Sequence, residues 1–394
     1  MAVSSCPSSL WGPACVWGPT RVGPGRLDSV PRRHPFRQVH APVIRSFQRG
    51  ACSRGAGHFP LPPLSAFSTG HEKRIRLSSR IVSSMDNPFG PYSWGEFFPM
   101  VWRRFTGPSP RPPSLNRDLR LRAVEPDCTL GFVGDICPLF GREARFGAGV
   151  QDFLGDCDVV VGNFEGIFSE RAWKPFLMKH KPDIFPALAE LRPLDRWVVS
   201  VANNHATDYG PDALRRTCRR LDRHGLRWLG TTDRPRLQIA DGLTVTAWTW
   251  WLNREGEGVA RTDPGAPDAP GLHIALPHWG YEHERTPRPE QTPPAGYTLT
   301  TGHHTHLPQP LEARDDGRLV AYSLGNFVTG KQLPVLGEGA LLKVDLARSK
   351  TDAPAVVQAR FREITLHRTR QECHVALRHA APPEPQCLHL DEGA

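Results

Sequence analysis

Five short clusters hold most of the side chains able to do chemistry: GD at 134–135, GNFE at 162–165, ANNHATDYG at 202–210, HWGYE at 278–282 and GHHTH at 302–306. They supply two carboxylates, Asp135 and Glu165, an amide, Asn204, and imidazoles at His205, His278, His303, His304 and His306. A mixed oxygen and nitrogen set suits Mn, Zn or Fe, whereas an all-oxygen set suits Mg or Ca. A carboxylate shared by two cations about 3.5–4 Å apart leaves room for a bridging water that is readily ionised. That chemistry needs hard oxygen in the bridge and imidazole at the flanks, and the clusters offer both.

Taken singly, the clusters differ in weight. GD after a strand is commonly a turn, and GNFE alone is a polar strand end. Asn203, Asn204 and His205 follow the buried run VVSVA, where polar groups cost a few kcal/mol if left unsatisfied. GHHTH is the sharpest signal, because five of the 17 histidines fall between His278 and His306 and its flanks are not histidine-rich. The ordered occurrence of all five clusters outweighs each bland reading.

The elements that position them are short apolar runs. TLGFVGD (129–135), DVVVGNFEG (158–166) and WVVSVANNHATDYG (197–210) each read as a buried strand ending in polar residues. A helical stretch is expected around 147–155. Another, PDALRRTCRRLDRHG (211–225), has Pro at its first position and Gly at its end, with Leu214, Cys218 and Leu221 on one face. Further strands are expected in LTVTAWTWWL (243–252), LHIALPHWG (272–280), GYTLTTGHHTH (296–306), LVAYSLGNF (319–327) and ALLKVDL (340–346). Strands interleaved with helices describe an α/β layered sheet, and ligands of such sheets sit beyond the carboxyl ends of the strands. The clusters fall there.

The charge is unevenly placed. Residues 1–122 carry 18 Lys and Arg against 5 Asp and Glu, while 123–394 carry 31 against 35. The basic balance of the whole chain belongs to its first third, so no nucleic-acid role is expected for the folded part. Residues 1–84 hold only Asp28 and Glu72 as acids and are punctuated by Pro, Gly and Ser. They read as a disordered extension, either a transit peptide or a region ahead of a later start at Met85. An aromatic cluster (Tyr92, Trp94, Phe97, Phe98, Trp102) and a Pro-rich linker follow. The expected boundaries are a 1–122 extension, a 123–350 domain and a 351–394 edge strand or tail. Nine scattered cysteines without a CxxC pair suggest reduced thiols and a cytoplasmic protein. No apolar run is long enough to span a membrane, and no signal peptide is recognisable.

GDIC, GNFEG, ANNHATDYG, HWGYE, GHHTH and YSLGNF, in this order, resemble the signature series of the CapA family, linked to bacterial poly-γ-glutamate capsule synthesis. That family is similar in fold to the calcineurin-like metallophosphatases. The resemblance implies a four-layer αββα sandwich of the metallo-dependent phosphatase type, carrying two divalent metal ions. It covers about 129–346. By that resemblance Asp135, Glu165, Asn204, His278, His304 and His306 are metal ligands, with Glu165 bridging and His303 an alternative to His304. His205 matches a general acid, which Asp208 is placed to orient. Glu282 and Asn326 are candidates for substrate or supporting contacts. The implied function is metal-dependent hydrolysis of a phosphoester or related linkage. The alternative is a non-catalytic component that binds an anionic polymer. Two departures stand out. Cys137 occupies the place where phosphatases carry a histidine, which leaves one cation a ligand short. Segments 253–271 and 291–302 are too rich in Gly and Pro for the helices expected there.

Overall fold

The chain is described from a computed structural model over residues 90–108, 110–111, 114–347, 355–378 and 386–387. The expectations for 1–84 and for Met85 lie outside the described residues. In chain order the first elements are α1 (Trp94–Thr106), β1 (Arg117–Arg120), β2 (Cys128–Ile136), β3 (Glu143–Phe146), α2 (Ala148–Gly155), β4 (Val159–Phe164), α3 (Ile184–Leu191), β5 (Trp197–Ser200) and α4 (Pro211–Arg223). Then come β6 (Arg227–Leu229), β7 (Arg236–Ala240), β8 (Leu243–Thr249), β9 (Leu272–His278), β10 (Leu299–Thr301), β11 (Leu311–Ala313) and β12 (Leu319–Ala321). The last are β13 (Asn326–Val328), β14 (Glu338–Ala347), β15 (Ala355–Arg368), β16 (Glu372–Leu377) and β17 (Gln386–Cys387). Among the described residues no helix is long and apolar enough to cross a membrane.

Two sheets form. The larger runs β17-β1-β15-β14-β2-β4-β5-β6, with β13 paired to β2, β16 to β15 and β3 to β16. The smaller runs β11-β12-β10-β9-β8-β7. The apolar run in β2 is buried along nearly its whole length, as a strand with parallel β4 on one side and antiparallel β14 on the other must be. Val245, Ala247, Ile274, Leu276 and Leu299 of the smaller sheet join the same core as Leu130, Phe132, Val160 and Leu342 of the larger. Alternation in β8 and β9 turns the neighbouring residues, Trp248 and Ala275, to the opposite face.

The larger sheet carries α2, α3 and α4. Ala213, Leu214, Thr217, Cys218 and Leu221 are the buried residues of α4, while Arg215, Arg216 and Arg219 face solvent. Truncating Leu221 to Ala would cost about 2–5 kcal/mol. No helix forms in 253–271 or 291–302, as their Gly and Pro content requires. Irregular chain covers that face of the smaller sheet instead: Trp250, Ala260, Ala266 and Tyr297 pack on Trp248 and Ala275. The Tyr297 hydroxyl donates to Asp263 at 2.7 Å, tying the two irregular segments together.

Sheet pairing crosses both expected boundaries. β1 lies before residue 122 yet pairs antiparallel with β15. The C-terminal stretch, expected at an edge, places β15 between β1 and β14. The charges in β15 that suggest an edge are matched across the strands: Arg360 pairs with Asp345 at 2.6 Å, and Arg362 with Asp118 at 2.5 Å.

Candidate metal centre

The clusters meet where strands of the two sheets end. Asp135 is the penultimate residue of β2, Glu165 follows β4 directly, and Asn204 and His205 lie just past β5. His278 closes β9, and His304 and His306 follow β10. All seven are buried. Glycine makes the approach possible at two of these turns. A Cβ on Gly134 would stand 2.1 Å from the Gly325 carbonyl oxygen, and one on Gly302 would stand 2.0 Å from that of Tyr322. His304 and His306 adopt φ of 93° and 58°, left-handed conformations that side-chain-bearing residues rarely take. This backbone strain is concentrated at the site.

One half of the cluster gathers around Glu165. Its Oε1 lies 3.7 Å from His306 Nε2 and 3.8 Å from His205 Nε2, is buried, and has no hydrogen-bond partner. The Cys137 thiol donates to Oε2 at 3.3 Å. Donor atoms of Cys137, Glu165 and His306 all fall within 4.8 Å of one another. His306 Nδ1 is 3.2 Å from Asp135 Oδ2 and 3.0 Å from Asn326 Oδ1.

The other half is built from Asn204, His278 and His304. His278 Nε2 stands 3.0 Å from Asn204 Oδ1 and also 3.0 Å from His304 Nδ1, so all three aim at one place. Asn163 joins the halves, with its Nδ2 donating to Asp135 Oδ1 at 2.8 Å and lying 3.3 Å from His278 Nδ1. His303 turns elsewhere: its Nε2 donates to the Val133 carbonyl at 3.2 Å, which leaves the inward place to His304. Beside Glu165, His205 Nδ1 is held by Asp208 Oδ2 at 2.7 Å, and Asp208 also accepts the Met178 N–H. The Glu282 carboxylate is partly buried and stands 3.7 Å from His283 Nε2.

The electrostatics are those of a site built around positive charge. Burial would keep the His306 imidazole neutral, but the carboxylates of Glu165 and Asp135 lift it to about 9. Burial favours the protonated Asp135, yet His306 holds its carboxyl below the usual range. Burial likewise pushes Glu165 up. Glu282 is drawn to about 2, because His306, His283 and His304 outweigh its burial. His278 is pushed well down by burial and by the neighbouring imidazoles. Without a bound cation, His306 is the group that balances the buried acids. The orphaned Glu165 Oε1 and the convergent oxygen, nitrogen and sulfur donors therefore fit a divalent cation.

Several neighbours escape the sequence reading. Cys137, read there as a missing ligand, stands inside the donor group. His180 Nε2 donates to the Glu165 carbonyl at 3.0 Å, with its ring stacked on Phe164 at 4.0 Å. Asn253 Oδ1 accepts from Asn204 Nδ2 at 3.3 Å, and its Nδ2 lies 3.3 Å from His205 Nε2. Asn253 follows an apolar strand, the same signal that marks the other clusters. Tyr92, read in the sequence as one of an aromatic cluster and not as a site residue, places its hydroxyl at His304.

A family model described as bacterial capsule synthesis protein PGA_cap matches residues 129–240 and 258–331. The chain is 26% identical over 248 residues to the PGA biosynthesis protein CapA of Bacillus subtilis, covering 55% of this chain and 65% of that protein. It is 25% identical over 284 residues to the capsule biosynthesis protein CapA of Bacillus anthracis, covering 60% and 68%. A probable polyglutamine synthesis accessory protein of Mycobacterium tuberculosis is 27% identical over 203 residues, 42% of this chain and 52% of that protein. The chain thus spans between about half and two thirds of the length of these relatives. Among solved structures, the calcineurin-like phosphoesterase YfkN of Bacillus subtilis overlaps 63% of this chain and 90% of that one, with a TM-score of 0.33 and 11% identity.

Proposed function

Because the chain belongs to the bacterial capsule synthesis protein PGA_cap family, we propose that it is a metal-dependent hydrolase acting on a phosphoester or related linkage during synthesis of an anionic capsular polymer. Asp135, Cys137, Glu165 and His306 would hold one divalent ion, and Asn204, His278 and His304 a second. Such ions, Mn, Zn or Fe, supply Lewis acidity toward a phosphoryl or acyl oxygen. The protein's own part is then positioning and proton transfer. Asp208 holds Nδ1 of His205, so the ring presents Nε2 to the site and delivers a proton there to a departing oxygen. Asn253 limits the ring's rotation from the other side. Asn326 and Asn163 fix His306 and Asp135. Burial of the whole group keeps water from screening these charges.

The single observation that carries this reading is the buried, unpartnered Glu165 Oε1 among convergent imidazoles and acids. The full-length protein, loaded with Mn or Zn, would be assayed on a generic phosphodiester beside His205→Ala. Turnover should fall about 10²-fold or more in the variant. Equal, background rates in both proteins would overturn the hydrolase.

One observation favours a second reading, a non-catalytic component that binds the polymer. A cavity of about 450 Å³ beside His180 is lined by Lys179, Lys181, Arg216, Arg219, Arg220 and Arg223. Guanidinium forks suit the carboxylates of an acidic polymer. Poly-γ-glutamate binding retained in a catalytically silent protein would support that reading.

A further inference from the structure

The basic cavity beside His180 shares its walls with the supports of the metal centre. Two stretches, 165–168 and 178–181, run side by side. The Ile167 N–H donates to the Met178 carbonyl at 3.3 Å, and the His180 N–H to the Ile167 carbonyl at 2.9 Å. A Cβ on Gly166 would stand 3.0 Å from Met178 Cβ, so the stretches pack without slack. Alternate residues of the second stretch serve different places. Met178 and His180 are buried: the Met178 N–H donates to Asp208 Oδ2 at 2.6 Å, and His180 Nε2 to the Glu165 carbonyl at 3.0 Å. Asp208 in turn holds the His205 ring, so this one segment supports both Glu165 and His205. Lys179 and Lys181 line the cavity, and His180 forms part of its wall. Phe168, three residues past Glu165, lines it as well; its N–H donates to Thr217 Oγ1 of α4 at 2.8 Å. The far wall is α4, with Arg216, Arg219, Arg220 and Arg223. Among the described residues none of these six cations is ion-paired to a carboxylate, and Glu170 is the one acid in the wall. Like charges three and four apart weaken a helix, unless an anion offsets them.

We propose that a linear polycarboxylate bound in this cavity tightens the metal centre, through the paired stretches 165–168 and 178–181. A lone carboxylate engages one or two of the six cations, whereas a chain of carboxylates engages them together. Held at Lys179 and Lys181, the chain fixes the second stretch from the cavity side, while Asp208 and Glu165 hold it from the other. Order that the polymer supplies to this segment need not be supplied by the centre, so filling the cavity and assembling the centre favour each other. The proposal takes its occupant from the polymer-binding reading of the cavity. It goes beyond that reading by joining the cavity to Glu165 and His205, so that binding and chemistry become two parts of one device.

Full-length protein would be titrated with poly-γ-glutamate by calorimetry, and amide hydrogen exchange followed with and without the polymer. The triple variant Arg216→Gln, Arg219→Gln, Arg223→Gln changes only exposed side chains and keeps good helix formers. Its circular dichroism should be unchanged, and its affinity for the polymer should fall ~10-fold or more. In the parent, the polymer should slow exchange at the amides of Glu165 and Met178 about 5-fold or more. Those amides donate to Ile136 and Asp208, on the side of the centre, so a ligand that merely covers the cavity would leave them unchanged. The variant should show no such slowing at the same polymer concentration. Binding that leaves Glu165 and Met178 exchanging as before would overturn the coupling and spare the polymer-binding reading. A parent that ignores the polymer, or a variant that binds it equally well, would overturn both.

Discussion

The phenolic oxygen of Tyr92 stands 2.5 Å from Nε2 of His304, joining positions 212 residues apart. The backbone N–H of Glu282 donates to the same oxygen at 3.1 Å. The other ring nitrogen of His304, Nδ1, faces His278 at 3.0 Å. A histidine that ligates through one nitrogen is commonly fixed by a hydrogen bond at the other, and Tyr92 is placed to do this. Tyr92→Phe should weaken retention of the second ion by about 10–100-fold. Titration against a competing chelator reads that loss directly. Undiminished affinity would reduce the contact to packing.

Cys137 gives a prediction with its own spectroscopic signature. Its sulfur lies 3.3 Å from Glu165 Oε2 and within the same donor group as His306. Thiolate favours Zn or Fe over Mg or Mn. Protein loaded with Co(II) should show a sulfur-to-metal charge-transfer band in the near ultraviolet. Cys137→Ser should abolish that band while Co(II) still binds through Asp135, Glu165 and His306. A band that survives the substitution would remove Cys137 from the ligand set.

The buried His180 predicts acid sensitivity. Burial drives its pKa from 6.5 to about 3, although the Glu165 carbonyl that it serves pulls the other way. Between those values the unfolded chain binds a proton that the folded chain refuses. Its contribution to stability is therefore full above pH 6.5 and lost as pH falls toward about 3. Urea unfolding of the chelated protein should show His180→Phe less stable at neutral pH. Its stability should fall less steeply with acid, by up to ~1.4 kcal/mol per pH unit. Parallel pH slopes for the two proteins would contradict the assignment.

The strands were legible because buried strands need unbroken apolar runs, and TLGFVGD and DVVVGNFEG have them. The polar residues at their ends were legible for the complementary reason, that burying Asn204 or His278 has no packing value. Neither signal reaches residues that act across the fold. Tyr92 and His180 look like ordinary aromatic and core positions until the chain brings them to His304 and Glu165. The choice between His303 and His304 also had to wait for the backbone, since a positive φ at His304 decides which ring turns inward. In β15, charges that suggest an edge are matched by Asp345 and Asp118 on neighbouring strands, and that pairing is invisible along the sequence. The Gly and Pro content of 253–271 and 291–302 was a sound guide, for irregular chain covers the smaller sheet there.

The central claim is that buried acids and imidazoles converge to hold paired cations. Metal analysis of the purified full-length protein and of Glu165→Gln tests it most directly. About two transition-metal ions per chain are expected in the parent, and both should be lost or severely weakened in the variant, which keeps the shape of Glu165 but not its charge. A folded parent protein that takes up no metal, even from excess Mn or Zn, would contradict the account.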